Sequence, residues 1–212
     1  MMEGNVNNDM WNGTIVHYYY NGQKKNEMEY KNGALWNIIS FVDMNGNKID
    51  YGTLQDGNGT CKLVSDSGIV LGMVEYIDGW FNGTNLFYNR DGSIMKTMEC
   101  RNNELNGTTI EFGKNGKVEY REYFVNGMKE GSQYVYHSNG NLWTERIYIN
   151  GLLWNVTVNL DANGKEMDKG TIKDGNGTLN EYDESGKLVA VHQCVDGHVL
   201  DWDAPSVDFG NY

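Results

Sequence analysis

Asn-Gly and Asp-Gly pairs recur along almost the whole chain, and the turn glycines lie 11 or 13 residues apart. These glycines are Gly22, Gly33, Gly46, Gly57, Gly68, Gly79, Gly92, Gly116, Gly127, Gly140, Gly151, Gly164, Gly175, Gly186 and Gly197, with Asn103 in the place of one more. An Asn-Gly pair favours a β-hairpin because a type I′ turn needs positive φ at both central residues. The spacing therefore predicts a repeat array of antiparallel hairpins.

The segments between the turn glycines alternate apolar and polar residues. Ile110 and Phe112, for example, lie six and four residues before Gly116. Alternate residues of a strand share one face, so such pairs predict a continuous apolar stripe. The returning strands carry an aromatic residue or a cysteine three residues before the turn, which predicts packing roles rather than nucleophilic roles for Cys100 and Cys194.

The two step sizes carry information of their own. A 13-residue step has a second turn-like signal just after the turn glycine, such as Asn82-Gly83 or Trp36-Asn37. We interpret the added residues as wider loops on one edge of the sheet, so that one step of each kind makes a 24-residue hairpin unit. The whole pattern returns at an offset of 118 residues, where Gly52–Thr60 corresponds to Gly170–Thr178.

These patterns predict an all-β protein, an elongated antiparallel meander of hairpin repeats. We expect about 15–17 strands in a sheet that is open and twisted or curled. Residues 11–200 are predicted to form a single repeat domain with an internal duplication at the 118-residue offset. Residues 1–10 form a polar N-terminal segment, and residues 201–212 form a C-terminal tail that breaks the spacing.

The net charge, the apolar runs and the cysteine content narrow the possible partners and location of the protein. The chain has a formal net charge of −12 and no basic stripe, which argues against nucleic acid and favours a basic protein partner. No run approaches the ~20 apolar residues that span a bilayer, and we expect no membrane contact. Three widely spaced cysteines do not make a disulfide framework, so we expect a cytoplasmic location, although a removed leader peptide stays open.

Several motifs imitate functional sites. Asp56–Thr60 and Asp174–Thr178 look like the middle of a calcium loop, but the first acidic ligand of such a loop is missing. Six Asn-x-Ser/Thr sequons occur, and five of them are Asn-Gly-Thr, which a hairpin turn before a β-branched residue also produces. The four histidines are scattered, and the recurring glutamates are typical of a solvated row on a sheet face. The sequence therefore predicts no catalytic, cofactor-binding or metal-binding residues, and no enzyme.

Four tryptophans are the residues that the repeat leaves unassigned. Trp36, Trp80, Trp143 and Trp154 lie near the predicted wide loops, where they could close the core at the sheet edge. If they are exposed, they are candidate anchors for a protein partner, because Trp is enriched at the energetic centres of interfaces.

The repeat unit resembles the bacterial variant of the MORN repeat. The clearest copy is the segment 138–151, where an Asn-Gly turn, a strand with Glu and an aromatic, and a second Asn-Gly follow in order. Another is the segment 120–131, which has the strand with Glu and aromatics, one Asn-Gly, a short loop and Gly131. The resemblance covers roughly residues 11–197. It implies a row of hairpins in a curved sheet, and bacterial members are often the antitoxin or immunity component of a toxin pair.

We therefore expect a non-enzymatic repeat module that binds another protein. The sharper hypothesis, which the resemblance implies, is an immunity or antitoxin protein that neutralises a basic toxin. The alternatives are a structural scaffold or surface repeat protein without a toxin partner, and a carbohydrate-binding module. A homo-oligomer also stays open.

Overall fold

The computed structural model describes residues 2–4, 6–7 and 9–200, and those residues form strands and turns without a helix. The chain divides into two compact units, Met1–Gly116 (unit 1) and Lys117–Tyr212 (unit 2). The predicted C-terminal tail, residues 201–212, lies outside the described residues.

Unit 1 contains eleven of the strands. They are β1 (Met2–Glu3), β2 (Val6–Asn7), β3 (Met10–Trp11), β4 (Gly13–Tyr18), β5 (Lys24–Lys31), β6 (Ala34–Phe41), β7 (Gly59–Val64), β8 (Val70–Ile77), β9 (Trp80–Tyr88), β10 (Ile94–Arg101) and β11 (Glu104–Phe112). One antiparallel sheet has the order β1-β4-β5-β6, β2 pairs with β3, and β7 to β11 pair in sequence order. Part of the N-terminal segment thus joins a sheet, since Met2 lies opposite His17.

Unit 2 contains the other strands. They are β12 (Val118–Val125), β13 (Met128–Lys129), β14 (Gly131–Tyr136), β15 (Leu142–Ile149), β16 (Leu152–Asn159), β17 (Gly177–Tyr182), β18 (Leu188–Val195) and β19 (His198–Val199). The order β12-β14-β15-β16 forms one run, with β13 beside β12, and β17-β18-β19 forms a separate three-stranded sheet.

The all-β hairpin meander predicted from the sequence is confirmed. The described residues hold nineteen strands rather than 15–17, and five of these have only two residues each. The pairing is antiparallel, and most pairs join successive strands, as tight turns require; the exceptions are β1 with β4 and β12 with β14.

The turns alternate between two geometries. At one edge of each unit, which we call the tight-turn edge, two successive residues have positive φ, as at Asp56 (50°) and Gly57 (75°). At the opposite edge only the glycine does, and Gly140 N–H donates to the His137 carbonyl across a four-residue turn. The type I′ prediction is therefore confirmed at alternate turns and wrong at the others, where a glycine bulge closes a longer turn.

The prediction of wide loops is wrong. The added residues of the 13-residue steps lie inside strands, where they form β-bulges. Against β5, the register skips Trp36 and Ile39 of β6, and against β15 it skips Trp154 and Thr157 of β16. A bulge accommodates extra residues without lengthening the turn, because two residues of one strand then oppose one of its neighbour.

Where three 11-residue steps follow one another, the regular sheet is interrupted. Residues between β6 and β7 make only isolated bridges, among them Gln55 with Asn58, and the equivalent segment of unit 2 repeats this with Lys173 and Asn176. A Cβ added to Gly52 would collide with the Thr60 carbonyl. The calcium-like sequence is thus a compact bridged turn, whose glycines allow close backbone approach.

Each unit has its own apolar core, and the two cores correspond. In unit 2 the buried cluster is Tyr148, Leu153, Val156, Ile172, Leu179 and Cys194. In unit 1 the equivalent positions, 118 residues earlier, are Tyr30, Leu35, Ile38, Leu54, Cys61 and Tyr76. Cys194 therefore occupies the position of an aromatic residue, as predicted.

Candidate protein-binding surfaces

Asparagine side chains join several of the tight turns to a neighbouring strand or turn. The backbone N–H of Asp56 donates to the Asn37 Oδ1 atom at 2.9 Å, and the Asp78 N–H donates to Asn58 Oδ1 at 3.3 Å. Unit 2 repeats both bonds, from Asp174 to Asn155 and from Asp196 to Asn176. Four sequon asparagines, Asn58, Asn82, Asn155 and Asn176, accept such bonds. The prediction that the Asn-Gly-Thr sequences are themselves hairpin turns is wrong, because Asn82-Gly83 lies inside β9 and Asn106-Gly107 lies inside β11. The asparagine side chains instead accept hydrogen bonds from neighbouring turns.

Backbone bonds stack the same turns. Gly57 N–H donates to the Trp36 carbonyl at 2.8 Å, and Gly79 N–H donates to the Gly57 carbonyl at 2.8 Å. A Cβ on Gly57 would lie 2.8 Å from the Gly79 nitrogen, so only glycine fits this spacing. The tight-turn edge is therefore a rigid stack on which flanking side chains hold fixed positions.

In unit 2 the residues flanking these turns form an apolar row. We call it the unit 2 turn row, and it consists of Val125, Met128, Ile149, Leu152 and Val195. Val125 pairs with Met128, and Ile149 pairs with Leu152. Met128 lies over the next turn, because a Cβ placed on Gly151 would be 3.9 Å from the Met128 Cβ. Four of the five side chains are exposed, Met128 by 47 %.

Unit 1 presents a smaller version of this surface. Ile77 and Trp80 are a cross-strand pair beside the Asp78-Gly79 turn, and both are exposed, Trp80 by 36 %. Phe81 is also exposed, and its ring centroid lies 5.0 Å from that of Tyr76. Exposed apolar groups contiguous at one edge are typical of contact sites for other proteins.

The turns at the opposite edge differ in chemistry. In unit 2 they expose Asn139, Asn163 and Glu184. The carboxylate of Asp161 accepts the backbone N–H groups of Asn163 and Lys165, both at 2.9 Å, and these bonds hold the pKa of Asp161 below its usual range. One edge of the unit is thus apolar and the other is polar.

The four tryptophans do not converge. Trp36 and Trp154 are half-buried bulge residues of β6 and β16, beside the tight turns. The Lys31 ammonium lies 3.9 Å from the centre of the Trp36 ring. Trp80 is the exposed member, and Trp143 is half-buried. Among the described residues no ring contact joins two of the four, so each remains a separate candidate for partner binding.

Trp143 has a structural partner instead. Its ring stacks on the imidazole of His137, with centroids 4.4 Å apart and planes 10° apart. His137 is 1 % exposed, and its Nε2 atom lies 2.9 Å from the Leu160 carbonyl. Since a carbonyl only accepts, Nε2 carries the proton and donates it. The other nitrogen, Nδ1, is 3.6 Å from Glu184.

A charged cluster within unit 2 was not foreseen. Glu181 and His192 lie on the paired strands β17 and β18, and Arg146 lies on β15 of the other sheet. His192 Nε2 is 3.2 Å and an Arg146 nitrogen is 3.9 Å from the Glu181 carboxylate oxygens. The equivalent positions of unit 1 are apolar, namely Met28, Leu63 and Val74. Only alignment of the two copies at the 118-residue offset would have revealed that apolar residues of unit 1 are replaced by charged residues in unit 2.

The three cysteines are free and buried. Burial raises the pKa of the Cys61 thiol to about 11, and it also raises the pKa of Cys100 and Cys194. A raised pKa disfavours the reactive thiolate. Among the described residues, no group of three or more His, Cys, Asp or Glu side chains could hold a metal ion.

One open depression of about 450 Å³ lies near the N-terminus of unit 1, lined by Glu3, Tyr18, Tyr19, Tyr20 and Gly22. The Tyr18 hydroxyl donates to the Glu3 carboxylate at 3.2 Å. Desolvation, and to a lesser extent this hydrogen bond, raise the pKa of Tyr18. A single carboxylate beside tyrosines does not supply the paired acid and base that glycosidic chemistry needs.

Comparison with known families assigns the repeat. A family model described as the MORN repeat variant matches residues 11–32, 105–126 and 129–150. The chain contains MORN-variant repeats. The first and third matches are 118 residues apart, so the family repeat and the internal duplication have the same phase. Each of these two matches covers one hairpin with its bulged turn, β4–β5 and β14–β15.

The MORN-variant assignment bears on function at a coarse level. Repeats of this family often form binding modules and are generally non-enzymatic. No curated protein matches the chain. Within the described residues there is no helix with the length and apolar character needed to cross a bilayer.

Proposed function

We propose that this protein is a non-enzymatic module that binds another protein through its turn rows. The observation that carries the proposal is the unit 2 turn row, where exposed Val, Met and Ile side chains flank a rigid stack of turns. Free sheet edges and rims are ordinarily protected by charge, and contiguous exposed apolar side chains are costly in solution unless a partner covers them.

We further propose that the partner is a toxin, which the module neutralises in the cytoplasm. Two observations support this sharper form. The repeats resemble those of bacterial immunity proteins, and the net charge of −12 favours a basic partner by speeding encounter and orienting it. Of the four candidate tryptophans, Trp80 in unit 1 is the most exposed and the best placed to serve as an anchor.

The test is co-expression with the product of the gene that neighbours its own. We expect that product to arrest growth alone, and we expect the wild-type module to restore growth and to co-purify with it. The double variant Met128→Lys/Ile149→Lys should weaken binding about tenfold or more, since charge in an apolar contact is left desolvated.

The control is Asn163→Lys/Asn139→Lys, which adds the same two charges at the polar edge, and it should bind as the wild type does. If the neighbouring product is neither toxic nor bound, the toxin hypothesis fails. If the partner binds the Met128→Lys/Ile149→Lys variant unchanged, the turn row is not the contact surface.

A further inference from the structure

The turns opposite the tight-turn edge, which we call the bulged turns, contain Asn-Gly pairs whose side chains are held differently. In unit 2, the Asn139 amide is fixed at both ends, because Oδ1 accepts the Asn141 N–H at 2.8 Å and Nδ2 donates to the Ala162 carbonyl at 2.7 Å. Asn163 lies in the next bulged turn, where its backbone N–H donates to Asp161 at 2.9 Å. Within the described residues, the Asn163 side chain itself has no hydrogen bond, so its amide is free to rotate.

Unit 1 repeats this contrast at the 118-residue offset. Asn21 corresponds to Asn139, and its Oδ1 atom accepts the Gln23 N–H at 3.0 Å. Asn45 corresponds to Asn163, and in the described part of unit 1 only its backbone N–H forms a hydrogen bond. All four asparagines are exposed. Each unit therefore has one held and one free asparagine in otherwise matched turns.

The backbone nitrogen that follows Asn163 is accessible to its side chain. Gly164 N–H donates within its own turn, to the Asp161 carbonyl at 2.9 Å, and a Cβ placed on Gly164 would have nothing within 4 Å. In the tight turns, by contrast, Gly151 N–H donates to the Lys129 carbonyl of a neighbouring strand at 2.8 Å. A reaction at the Gly164 nitrogen thus breaks no bond between strands.

We propose that Asn163-Gly164 is a site of spontaneous deamidation and that Asn45-Gly46 is a slower second site. The Gly164 nitrogen gives its proton to water and attacks the Asn163 Cγ atom. The new N–C bond closes a five-membered succinimide ring, and the bond from Cγ to Nδ2 breaks as ammonia leaves. Water then opens the ring at one of its two carbonyls, which leaves aspartate or isoaspartate. Water is the only co-reactant, and glycine favours the closure because it has no side chain beside the attacking nitrogen.

The surroundings of each pair set the order of the rates. A Cβ on Gly46 would lie 3.4 Å from the Gln23 Nε2 atom, whereas Gly164 has open space, so Asn45 should react more slowly than Asn163. Asn139 should react more slowly still, because its amide must first lose two hydrogen bonds before the ring can close.

The product changes the polar edge of unit 2. Deamidation replaces a neutral amide with a carboxylate in the turn of Asp161, whose own carboxylate already accepts the backbone N–H groups of Asn163 and Lys165. Like charges in one turn repel each other. Isoaspartate also adds one carbon to the backbone, so the bond from Gly164 to Asp161 no longer closes the same turn. The modified turn should therefore be less stable.

Peptide mass spectrometry of the native protein tests this proposal, after incubation at physiological temperature and mildly alkaline pH. Conversion of an amide to an acid is detected as a mass gain at a single residue, and isoaspartate is detected by enzymatic methylation. We expect Asn163 to react about tenfold or more faster than Asn139, since no amide hydrogen bonds must break first. Asn163→Gln should abolish the mass gain at this residue, because a longer side chain closes its ring far more slowly, and it should leave the rate at Asn45 unchanged.

The unfolded protein is the control, because the hydrogen bonds that hold Asn139 are absent in denaturant. There Asn139 and Asn163 should react at similar rates, since both precede glycine. Native Asn163 that reacts no faster than Asn139 overturns the proposal, as does a difference in rate that persists unchanged in denaturant.

Discussion

His137 and Tyr19 occupy equivalent positions 118 residues apart, and both donate to the same carbonyl of their repeat. The Tyr19 hydroxyl donates to the Val42 carbonyl at 2.8 Å, and His137 Nε2 donates to the Leu160 carbonyl at 2.9 Å. Both side chains are almost fully buried. Each copy of the repeat therefore has this hydrogen bond, but a different side chain donates it in each copy.

Removal of either donor should destabilise the fold. We expect Tyr19→Phe to lower the free energy of unfolding by about 0.5–1.5 kcal/mol, because it deletes only the hydroxyl. His137→Leu should cost about 1–3 kcal/mol, because it removes the stacking partner of Trp143 in addition to the donor to the Leu160 carbonyl. Urea unfolding measures both. A His137→Leu variant as stable as the wild type would contradict the role of this bond.

Two glycines with similar backbone angles should respond differently to alanine. Gly57 has φ +75° and its Cβ would meet the Gly79 nitrogen at 2.8 Å, whereas Gly92 has φ +86° and open space around it. Gly92→Ala should cost about 1–2 kcal/mol from the left-handed backbone alone. Gly57→Ala should cost at least about 1 kcal/mol more, because the stacked turns must separate. Equal losses in thermal or urea unfolding would show that the turns do not pack as described.

The asparagine bonds between turns should also contribute measurably. Asn176→Ala removes the acceptor for Asp196 N–H and the donor to the Asp174 carbonyl, so we expect a loss of about 1–2 kcal/mol in unfolding free energy. Asn163→Ala provides the control, because it is an exposed turn asparagine for which only the backbone N–H donates. If both variants unfold alike, side-chain bonds between turns do not stabilise the array.

The lowered pKa values of the turn aspartates predict that the fold loses stability in acid. Hydrogen bonds from backbone N–H groups hold the pKa of Asp161 below 3.8, its value in the unfolded chain, and Asp43 at the equivalent turn is likewise lowered, chiefly by the Asn47 side chain. A lowered folded-state pKa stabilises the fold above the unfolded value, and this stability is lost as pH falls through the folded value. The stability difference between the wild type and Asp161→Asn should therefore shrink as pH falls below about 4. A difference independent of pH would contradict this assignment.

The buried thiols should be unreactive in the native state. Because burial raises the pKa of Cys61 to about 11 and shields all three thiols, thiol reagents at pH 8 should modify the native protein far more slowly than the unfolded one. Mass spectrometry before and after addition of denaturant measures this. Rapid labelling of native Cys194 would contradict its assignment as a packing residue.

Much of the fold could be predicted from local spacing. Turn pairs such as Asp78-Gly79 marked the hairpins because their backbone angles are intrinsic to these residue types. The two step sizes predicted wider loops, and this prediction is wrong, because Trp36 and Trp154 lie in bulges within strands. Whether an extra residue enlarges a turn or bulges a strand depends on cross-strand pairing, which the spacing of glycines does not specify.

The candidate site was less accessible to prediction. The exposure of Trp80 and the half-burial of Trp36 follow from how neighbouring strands cover each residue, and all four tryptophans look alike in sequence. The charged cluster at Arg146 lies where the other copy has Met28, and the repeat pattern alone treats both as strand residues. Side-chain burial depends on contacts between residues far apart in the chain.

The sequence by itself determined the repeat, its antiparallel hairpins and its 118-residue duplication, because turn chemistry and strand alternation act over a few residues. Within the described part of the chain, only the tertiary structure decided which turns stack and which apolar residues are exposed. The contrast between β8, covered by β9, and β18, exposed at Val189 and Val191, illustrates the reason. Equivalent strands differ in exposure because burial depends on the neighbouring strand and not on the strand's own sequence.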